Sequence, residues 1–287
     1  MGLPTLSNQD HSRSLNQNRY VYAVLSRRSG GVSIGINLNP DKICNFDCVY
    51  CQVDRRTPGE DRRVDLDSLE GELRSLLLKA KNGSLFDEPP FVGVEKPLQK
   101  ITDIAFSGDG EPTTYPKFRA AVELAIRVKH DAGLGDLKIV LITNSAMLHR
   151  AKVKEVLSIL DRNNGEIWAK LDAGTEAYYR RVDVTKIPFE RILRNLTDTA
   201  QLRPIVIQSL FMRLHGEGPG KGEIKAYCER LREIAAKGGK IKLVQLHTVA
   251  RRPARPYVSA LSDQEVDAIA SRVGRIPLPV AAFYSGH

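Results

Sequence analysis

The chain has 287 residues, of which 42% are hydrophobic and 27% are charged, and its net charge is +9. This composition predicts a globular protein with a sizeable core and excludes a disordered or fibrous chain. Four cysteines are too few for a disulfide scaffold. No apolar run approaches the roughly 20 residues of a membrane helix, and residues 1–17 lack the apolar core of a signal peptide. We therefore expect a cytoplasmic protein.

Short runs rich in isoleucine, valine and leucine predict strands that are buried on both faces. They are Ser33–Leu38, Thr102–Phe106, Lys138–Ile142, Ile167–Leu171, Ile205–Phe211 and Ile241–His247. Apolar residues spaced three and four apart predict helices in the segments 66–80, 118–126, 189–200 and 224–235. A later helix should begin at Ser262, because Glu265 completes a capping-box pattern.

The alternation of strand and helix predicts an α/β fold with a parallel sheet. Part of a TIM-like barrel and a doubly wound sheet both satisfy this pattern. In either fold, functional residues lie at the C-terminal ends of the strands. We expect residues 1–20 to form a flexible arm and residues 21–287 to form a single domain.

Three of the cysteines, Cys44, Cys48 and Cys51, lie in the loop that follows the first predicted strand. Their C-x3-C-x2-C spacing predicts a metal site with soft thiolate ligands. A structural zinc site or a ferredoxin-type cluster would need a fourth protein ligand, which is absent locally. Cys228 lies on the apolar stripe of a predicted helix, so we interpret it as a packing residue. Three cysteines on a four-iron cluster leave one iron open to an exogenous ligand.

This cysteine loop, with the aromatic Tyr50 before its last cysteine, resembles the cluster loop of radical S-adenosylmethionine (SAM) enzymes. A second feature supports the resemblance. The sequence F-S-G-D-G-E-P at Phe106–Pro112 is similar to the glycine-rich element with which that superfamily binds the methionine part of SAM. Glycine allows close approach of the backbone to a ligand.

Further segments resemble the branch of the superfamily that includes the wyosine synthases, which modify a guanine in tRNA. They are Ser26–Arg28, Gly35–Pro40, Thr143–Ser145, Lys170–Gly174 and Val244–Arg251. Wyosine synthases carry additional N-terminal cysteines for a second cluster, and no cysteine precedes Cys44 here. This departure argues against the wyosine reaction itself and leaves the SAM chemistry untouched.

The resemblance implies an incomplete (β/α)6 TIM-like barrel with parallel strands. It also implies a [4Fe–4S] cluster on Cys44, Cys48 and Cys51, with SAM bound to the fourth iron. Reductive cleavage of SAM would give a 5′-deoxyadenosyl radical that abstracts hydrogen from a substrate. A one-electron donor such as flavodoxin or ferredoxin is implied as a partner.

The resemblance and the strand ends together indicate further site residues. We expect cofactor binding by Tyr50, Gly108, Asp109, Gly110, Glu111, Asn144, Ser145, Lys170, Gln208 and Gln245. We expect catalytic roles for Lys170, Asp172 and His247. Lys170 and Asp172 are polar on an otherwise apolar strand and should point into the barrel. The alternatives are a buried ion pair for these two and a structural histidine for His247.

The substrate is the least determined part of the prediction. Arginines after the cysteine loop and after the sixth strand suit an anionic substrate such as RNA, or they form a solvated surface: Arg55, Arg56, Arg62, Arg63, Arg251, Arg252 and Arg255. The leading hypothesis is a nucleoside or RNA, ahead of a peptide or small anionic metabolite. A non-enzymatic iron–sulfur carrier or sensor would not need the glycine-rich element, and a zinc-stabilised RNA-binding module lacks a fourth ligand. The glycine run at 216–222 does not match a phosphate-binding P-loop.

Overall fold

The computed structural model describes residues 18–26, 28–59 and 63–285. The predicted N-terminal arm, except for its last residues, lies outside these ranges, as do Arg27 and Arg62. The strands are β1 (Val21–Ser26), β2 (Gly31–Ile36), β3 (Ile101–Phe106), β4 (Lys138–Thr143), β5 (Gly165–Lys170), β6 (Ile205–Leu210), β7 (Arg213–Leu214), β8 (Ile241–His247), β9 (Val258–Ser259) and β10 (Val280–Phe283). The helices are α1 (Leu66–Asn82), α2 (Phe118–Asp131), α3 (Ala151–Asp161), α4 (Glu176–Val182), α5 (Phe189–Leu202), α6 (Lys221–Ala236) and α7 (Asp263–Val273).

The main sheet has eight strands in the order β1-β2-β3-β4-β5-β6-β8-β10. β1 is antiparallel to β2, whereas the pairs β2–β3, β3–β4, β5–β6, β6–β8 and β8–β10 are parallel. The strand order follows the chain order without the reversal that defines a doubly wound sheet. The predicted incomplete (β/α)6 TIM-like barrel is therefore confirmed.

All six predicted strands are present, with ends that differ by at most two residues from the prediction. The predicted helices are also present, and Ser262 caps α7 with the expected capping box. The strands β1, β7, β9 and β10 and the helices α3 and α4 were not predicted. None of the helices in the described ranges is both long and apolar enough to cross a bilayer.

The chain divides into two compact units, and the prediction of a single domain stays a prediction. The first unit contains the chain up to Ile43 together with Arg55–Leu141 and Glu155–Gly165. Its helix α1 begins after Asp65, whose side chain accepts from the Asp67 amide. The helix buries Leu69, Leu73, Leu76 and Leu77. This unit contains the glycine-rich element that follows β3.

The second unit contains Cys44–Asp54, Ile142–Lys154 and Glu166–His287. Its core includes an edge-to-face pair of Phe211 and Tyr227, with ring centroids 5.1 Å apart. This unit contains the cysteine loop and the C-terminal ends of β5, β6 and β8.

Candidate functional site

The cysteine loop lies within the second unit. Cys44, Cys48 and Cys51 are half-buried and form no disulfide. The Cys51 amide donates to the Cys48 carbonyl at 2.9 Å, which closes a tight turn between these two cysteines. The turn places two thiols on a short stretch of defined backbone.

A segment after α4, Val182–Thr185, holds the other side of this loop. Amides of Asp47 and Val49 donate to carbonyls of the segment at 3.2 and 2.8 Å. Thr185 Oγ1 donates to the Asn45 carbonyl at 3.0 Å. The backbone of the loop is therefore fixed by contacts that do not involve the thiols.

A carboxyl group of the same segment reaches one of the cysteines. Asp183 is buried, and the Cys48 thiol donates to its Oδ1 at 3.5 Å. Burial raises the pKa of both Cys48 and Asp183. The next residue, Val184, has φ of 42°, a strained value for a β-branched residue. Strain beside a buried carboxyl group is typical of a functional site.

Tyr50, Lys170 and Asp172 form a second cluster next to the loop. Asp172 accepts from the Tyr50 hydroxyl at 2.5 Å and pairs with Lys170 Nζ at 3.1 Å. The Leu210 amide donates to the same carboxylate at 2.7 Å. Lys170 Nζ also lies 4.9 Å from the centroid of the Tyr50 ring, a cation–π contact. The structure thus brings together three residues that the sequence predicted at the site, and it shows the ion pair.

These two clusters border one small pocket. Its polar lining comes from both of them and from the end of β4, and its apolar lining comes from the loop and from α4 and α5. The lining includes Phe46, Tyr50, Asn144, Lys170, Asp172 and Asp183.

The predicted pair Asn144 and Ser145 separates into two roles. Asn144 Nδ2 donates to Asn45 Oδ1 at 2.7 Å, which ties the end of β4 to the cysteine loop. Ser145 is fully buried, and its hydroxyl donates to the Lys170 carbonyl at 3.1 Å. Through this hydrogen bond, Ser145 therefore holds the backbone at the end of β5.

Gln208 and Gln245 are register partners on β6 and β8. Both are buried, and Gln208 Nε2 donates to Gln245 Oε1 at 2.7 Å. His247 lies half-buried at the end of β8. The two amides thus form a polar pair on neighbouring strands of the sheet.

In the first unit, the glycine-rich element packs against the loop that follows β2. Asp109 accepts from Asn37 Nδ2 at 2.6 Å, and the Asp109 amide donates to Asn37 Oδ1 at 3.1 Å. Arg55 donates to the carbonyls of Asp109 and Lys42. Glu111 is buried and accepts from the Thr113 hydroxyl at 2.5 Å. Arg55 and Glu111 therefore hold the shape of this element.

Gly110→Ala should lower the free energy of unfolding by about 2 kcal/mol, because overpacking costs about 1–3 kcal/mol. A methyl group at Gly110 would overlap the Ile43 carbonyl oxygen and the Asn39 side chain. Urea unfolding of the full chain measures the change. Gly71→Ala is the matched control: Gly71 lies within α1 with nothing near its Cβ position, so this variant should be as stable as the parent or more stable. Equal stability of the two variants would contradict this account of Gly110.

Several residues of the site were missed by the sequence analysis. Asp183 is a single polar residue without a motif around it, whereas Asn45 lies inside the cysteine loop and Asn37 inside the segment Gly35–Pro40. Each of the three meets its partner only in the folded chain. A buried aromatic residue, Phe46, was also missed, although its place inside the cysteine loop is a usable signal.

The cysteine loop supplies soft thiol donors, the kind of ligand that iron–sulfur clusters use. In the described part of the chain, no three His, Cys, Asp or Glu side chains lie close enough together to bind one metal ion. A tetrahedral zinc site needs four such ligands. Cys228, the remaining cysteine, is buried on α6, as predicted for a packing residue. The loop thus offers three thiols, one fewer than the four cysteine ligands of a ferredoxin-type cluster.

Comparison with solved structures shows the class of fold. A radical SAM methyltransferase from Sphaerobacter thermophilus is 12% identical and covers 92% of this chain and 69% of its own, with a TM-score of 0.63. TYW1 with a lysine–pyruvate adduct bound is 16% identical, with 95% and 80% covered and a TM-score of 0.57. SuiB of Streptococcus suis bound to S-adenosylmethionine is 13% identical, with 90% and 52% covered and a TM-score of 0.58. The chain thus has the fold of radical SAM proteins, and the resemblance predicted from the sequence is confirmed at the level of the fold.

Curated relatives are similar to part of this chain or to most of it. A UPF0026 protein of Methanocaldococcus jannaschii is 31% identical over 56% of this chain and 42% of its own length. A UPF0026 protein of Helicobacter pylori is 25% identical over 85% of this chain and 70% of its own. A protein of Brachyspira hyodysenteriae named GTPase Obg is 26% identical over 92% of this chain. The chain spans 35% of the Brachyspira relative and 42% of the Methanocaldococcus relative. No family model matches the chain.

Proposed function

We propose that this protein is a radical SAM enzyme. The observation that carries the proposal is the cysteine loop: Cys44, Cys48 and Cys51 lie on a loop held by backbone hydrogen bonds. The same loop contributes Tyr50 to a pocket that Lys170 and Asp172 also line. The fold of the chain, shared with a radical SAM methyltransferase and with TYW1, supports the same conclusion. The GTPase name of the Brachyspira relative does not transfer, because the glycine run at 216–222 lacks the P-loop pattern.

In this proposal Cys44, Cys48 and Cys51 hold a [4Fe–4S] cluster. A cluster held there would supply the electron for reductive cleavage of SAM, which is the source of the radical that would abstract hydrogen from a substrate. A low-potential donor such as flavodoxin or ferredoxin provides that electron.

In this proposal, the chain's own residues bind and orient SAM and shield the pocket from water. Tyr50 and Lys170 are fixed by Asp172, so they present a defined edge to the pocket without reorganising. Phe46 and residues of α4 and α5 exclude water from the same pocket. The glycine-rich residues Gly108, Asp109, Gly110 and Glu111 bind the methionine part of SAM. We further propose cofactor contacts for Asn144, Ser145, Gln208 and Gln245 and a catalytic role for His247.

A nucleoside or RNA is the proposed substrate class. The net charge of +9 favours an anionic partner, and the similarity to TYW1 agrees with a tRNA-related substrate. The name of the Brachyspira relative and the similarity to a methyltransferase do not point to a different substrate class, because no residue named above supports one.

Anaerobically reconstituted protein, incubated with SAM and dithionite, should release 5′-deoxyadenosine and methionine in equal amounts. Both products are quantified by liquid chromatography and mass spectrometry. Omission of dithionite is the control and should stop release, because the split needs an electron. A protein with a full complement of iron and sulfide that releases neither product would overturn the proposal.

A further inference from the structure

An exposed pair of aromatic rings lies on the ribbon formed by β7 and β9 in the second unit. The rings of His215 and Tyr257 are stacked, with centroids 4.5 Å apart and an interplanar angle of 3°. The His215 amide donates to the Tyr257 carbonyl at 2.9 Å, so the backbone fixes the stack. Both residues are exposed, and 37% of Tyr257 is accessible to solvent.

The neighbouring residues of the ribbon show that the stack is not needed to cover the core. Leu214 and Val258 are register partners and are each 5% exposed. They supply the inward face of the ribbon, since adjacent residues of a strand point to opposite faces. The stack therefore adds aromatic surface that is accessible to water, and a planar ligand can stack on such surface.

The segment that carries Tyr257 is also tied to the cysteine loop. The Ala254 amide donates to the Cys51 carbonyl at 3.0 Å, and Arg251 Nη1 donates to Gln52 Oε1 at 3.0 Å. Arg255 pairs with Asp47 at 2.7 Å. The stack thus lies on the same short stretch of chain that contacts the proposed cluster loop at three points.

Positive charge accompanies the aromatic surface. Arg252 is exposed, and it precedes Tyr257 by five residues in the same segment. Exposed aromatic rings interleaved with arginines are the arrangement that binds single-stranded nucleic acid, because bases stack on the rings while cations meet the phosphates. A peptide would not need a flat double-ring surface, and a small anion would not need the rings.

We propose that the His215–Tyr257 stack is a platform for an unpaired base of an RNA substrate, with Arg252 contacting the adjacent phosphate. This inference rests on the proposed function and assigns the surface that recognises its substrate. An unpaired base on Tyr257 would place the RNA against the segment that contacts the cysteine loop.

The test is the affinity of the reconstituted full-length protein for a labelled, short single-stranded RNA of mixed sequence, measured by fluorescence anisotropy without SAM or reductant. Tyr257→Leu should weaken binding about tenfold, because it removes one base–aromatic stack. Tyr257→Phe keeps the ring and should bind like the parent. Tyr284→Leu is the matched control, because Tyr284 is a half-buried tyrosine that bonds to Asp267 outside the ribbon, and it should leave the affinity unchanged.

The salt dependence separates stacking from charge. Arg252→Gln should reduce the slope of log K against log salt by about 0.7, the contribution of one phosphate contact to a single strand. Tyr257→Leu should leave that slope unchanged. Equal affinities for the parent and Tyr257→Leu, or equal losses for the Leu and Phe variants, would overturn the inference. The proposed function is judged separately, by release of 5′-deoxyadenosine, so either idea can fail while the other stands.

Discussion

Replacing Cys48 with alanine should abolish both the bound cluster and SAM cleavage. Cys48 is the middle thiol of the loop, and with only two thiols left the loop cannot hold a cluster that needs three protein ligands. The change also removes the contact with Asp183, which leaves a buried carboxyl group without that donor. Iron and sulfide content, the visible absorbance of the reconstituted protein and the yield of 5′-deoxyadenosine measure the result.

Cys228→Ala is the matched control for this experiment. Cys228 is buried on α6 and belongs to the packing of that helix. Its loss should lower stability slightly and leave iron content and SAM cleavage as in the parent. The ligand assignment would be wrong if Cys48→Ala kept a normal cluster, or if Cys228→Ala lost it.

Asp172→Ala should lower the free energy of unfolding of the cluster-free protein by about 3 kcal/mol or more, because removing one partner of a buried ion pair costs about 3–5 kcal/mol. The Asp172 side chain is 2% exposed and that of Lys170 is 18% exposed, so water cannot replace the lost carboxylate well. The Leu210 amide and the Tyr50 hydroxyl also lose their acceptor. Urea unfolding followed by circular dichroism measures the midpoint and slope.

Two further variants define what this loss means. Glu190→Ala removes a carboxylate from an ion pair with Arg194 that is largely exposed, and it should change stability by about 0.5 kcal/mol or less. Asp172→Asn keeps the shape of the side chain and one acceptor oxygen. Its loss of unfolding free energy should therefore lie between the losses of Asp172→Ala and Glu190→Ala. If Asp172→Ala were no worse than Glu190→Ala, the carboxylate would not be the anchor of Tyr50 and Lys170 that the distances indicate.

The parallel strands were predictable because each is a short run of buried branched residues, a pattern that needs no knowledge of the partner strand. Helix α3 carries an equally clear signal, with buried residues at Val153, Val156, Leu157 and Leu160, and the sequence analysis overlooked it. β1 is different. Its apolar run does not reveal that it pairs antiparallel with β2, because periodicity shows burial and not direction.

At the candidate site the same division holds. The three cysteines were predicted from their spacing, Tyr50 from the resemblance of the cysteine loop to a known family, and the pair Lys170 and Asp172 from their place at a strand end. Asp183, which accepts from the Cys48 thiol at 3.5 Å, gave no such signal, because its partner is 135 residues away in the chain. From the sequence alone, a polar residue whose partner is distant in the chain is interpreted as a surface residue.

The sequence alone determined six strands of the main sheet, five of the helices, the thiol spacing of the cysteine loop and the polar residues at the strand ends. These features depend on residues that are close together in the sequence, so covalent geometry limits the positions of their side chains. Only the tertiary structure decided that Asp183 meets Cys48 across 135 residues and that Asn37 meets Asp109 across 72 residues. Such pairs depend on how whole elements pack, and no local pattern in the chain encodes which distant side chain will occupy a given space.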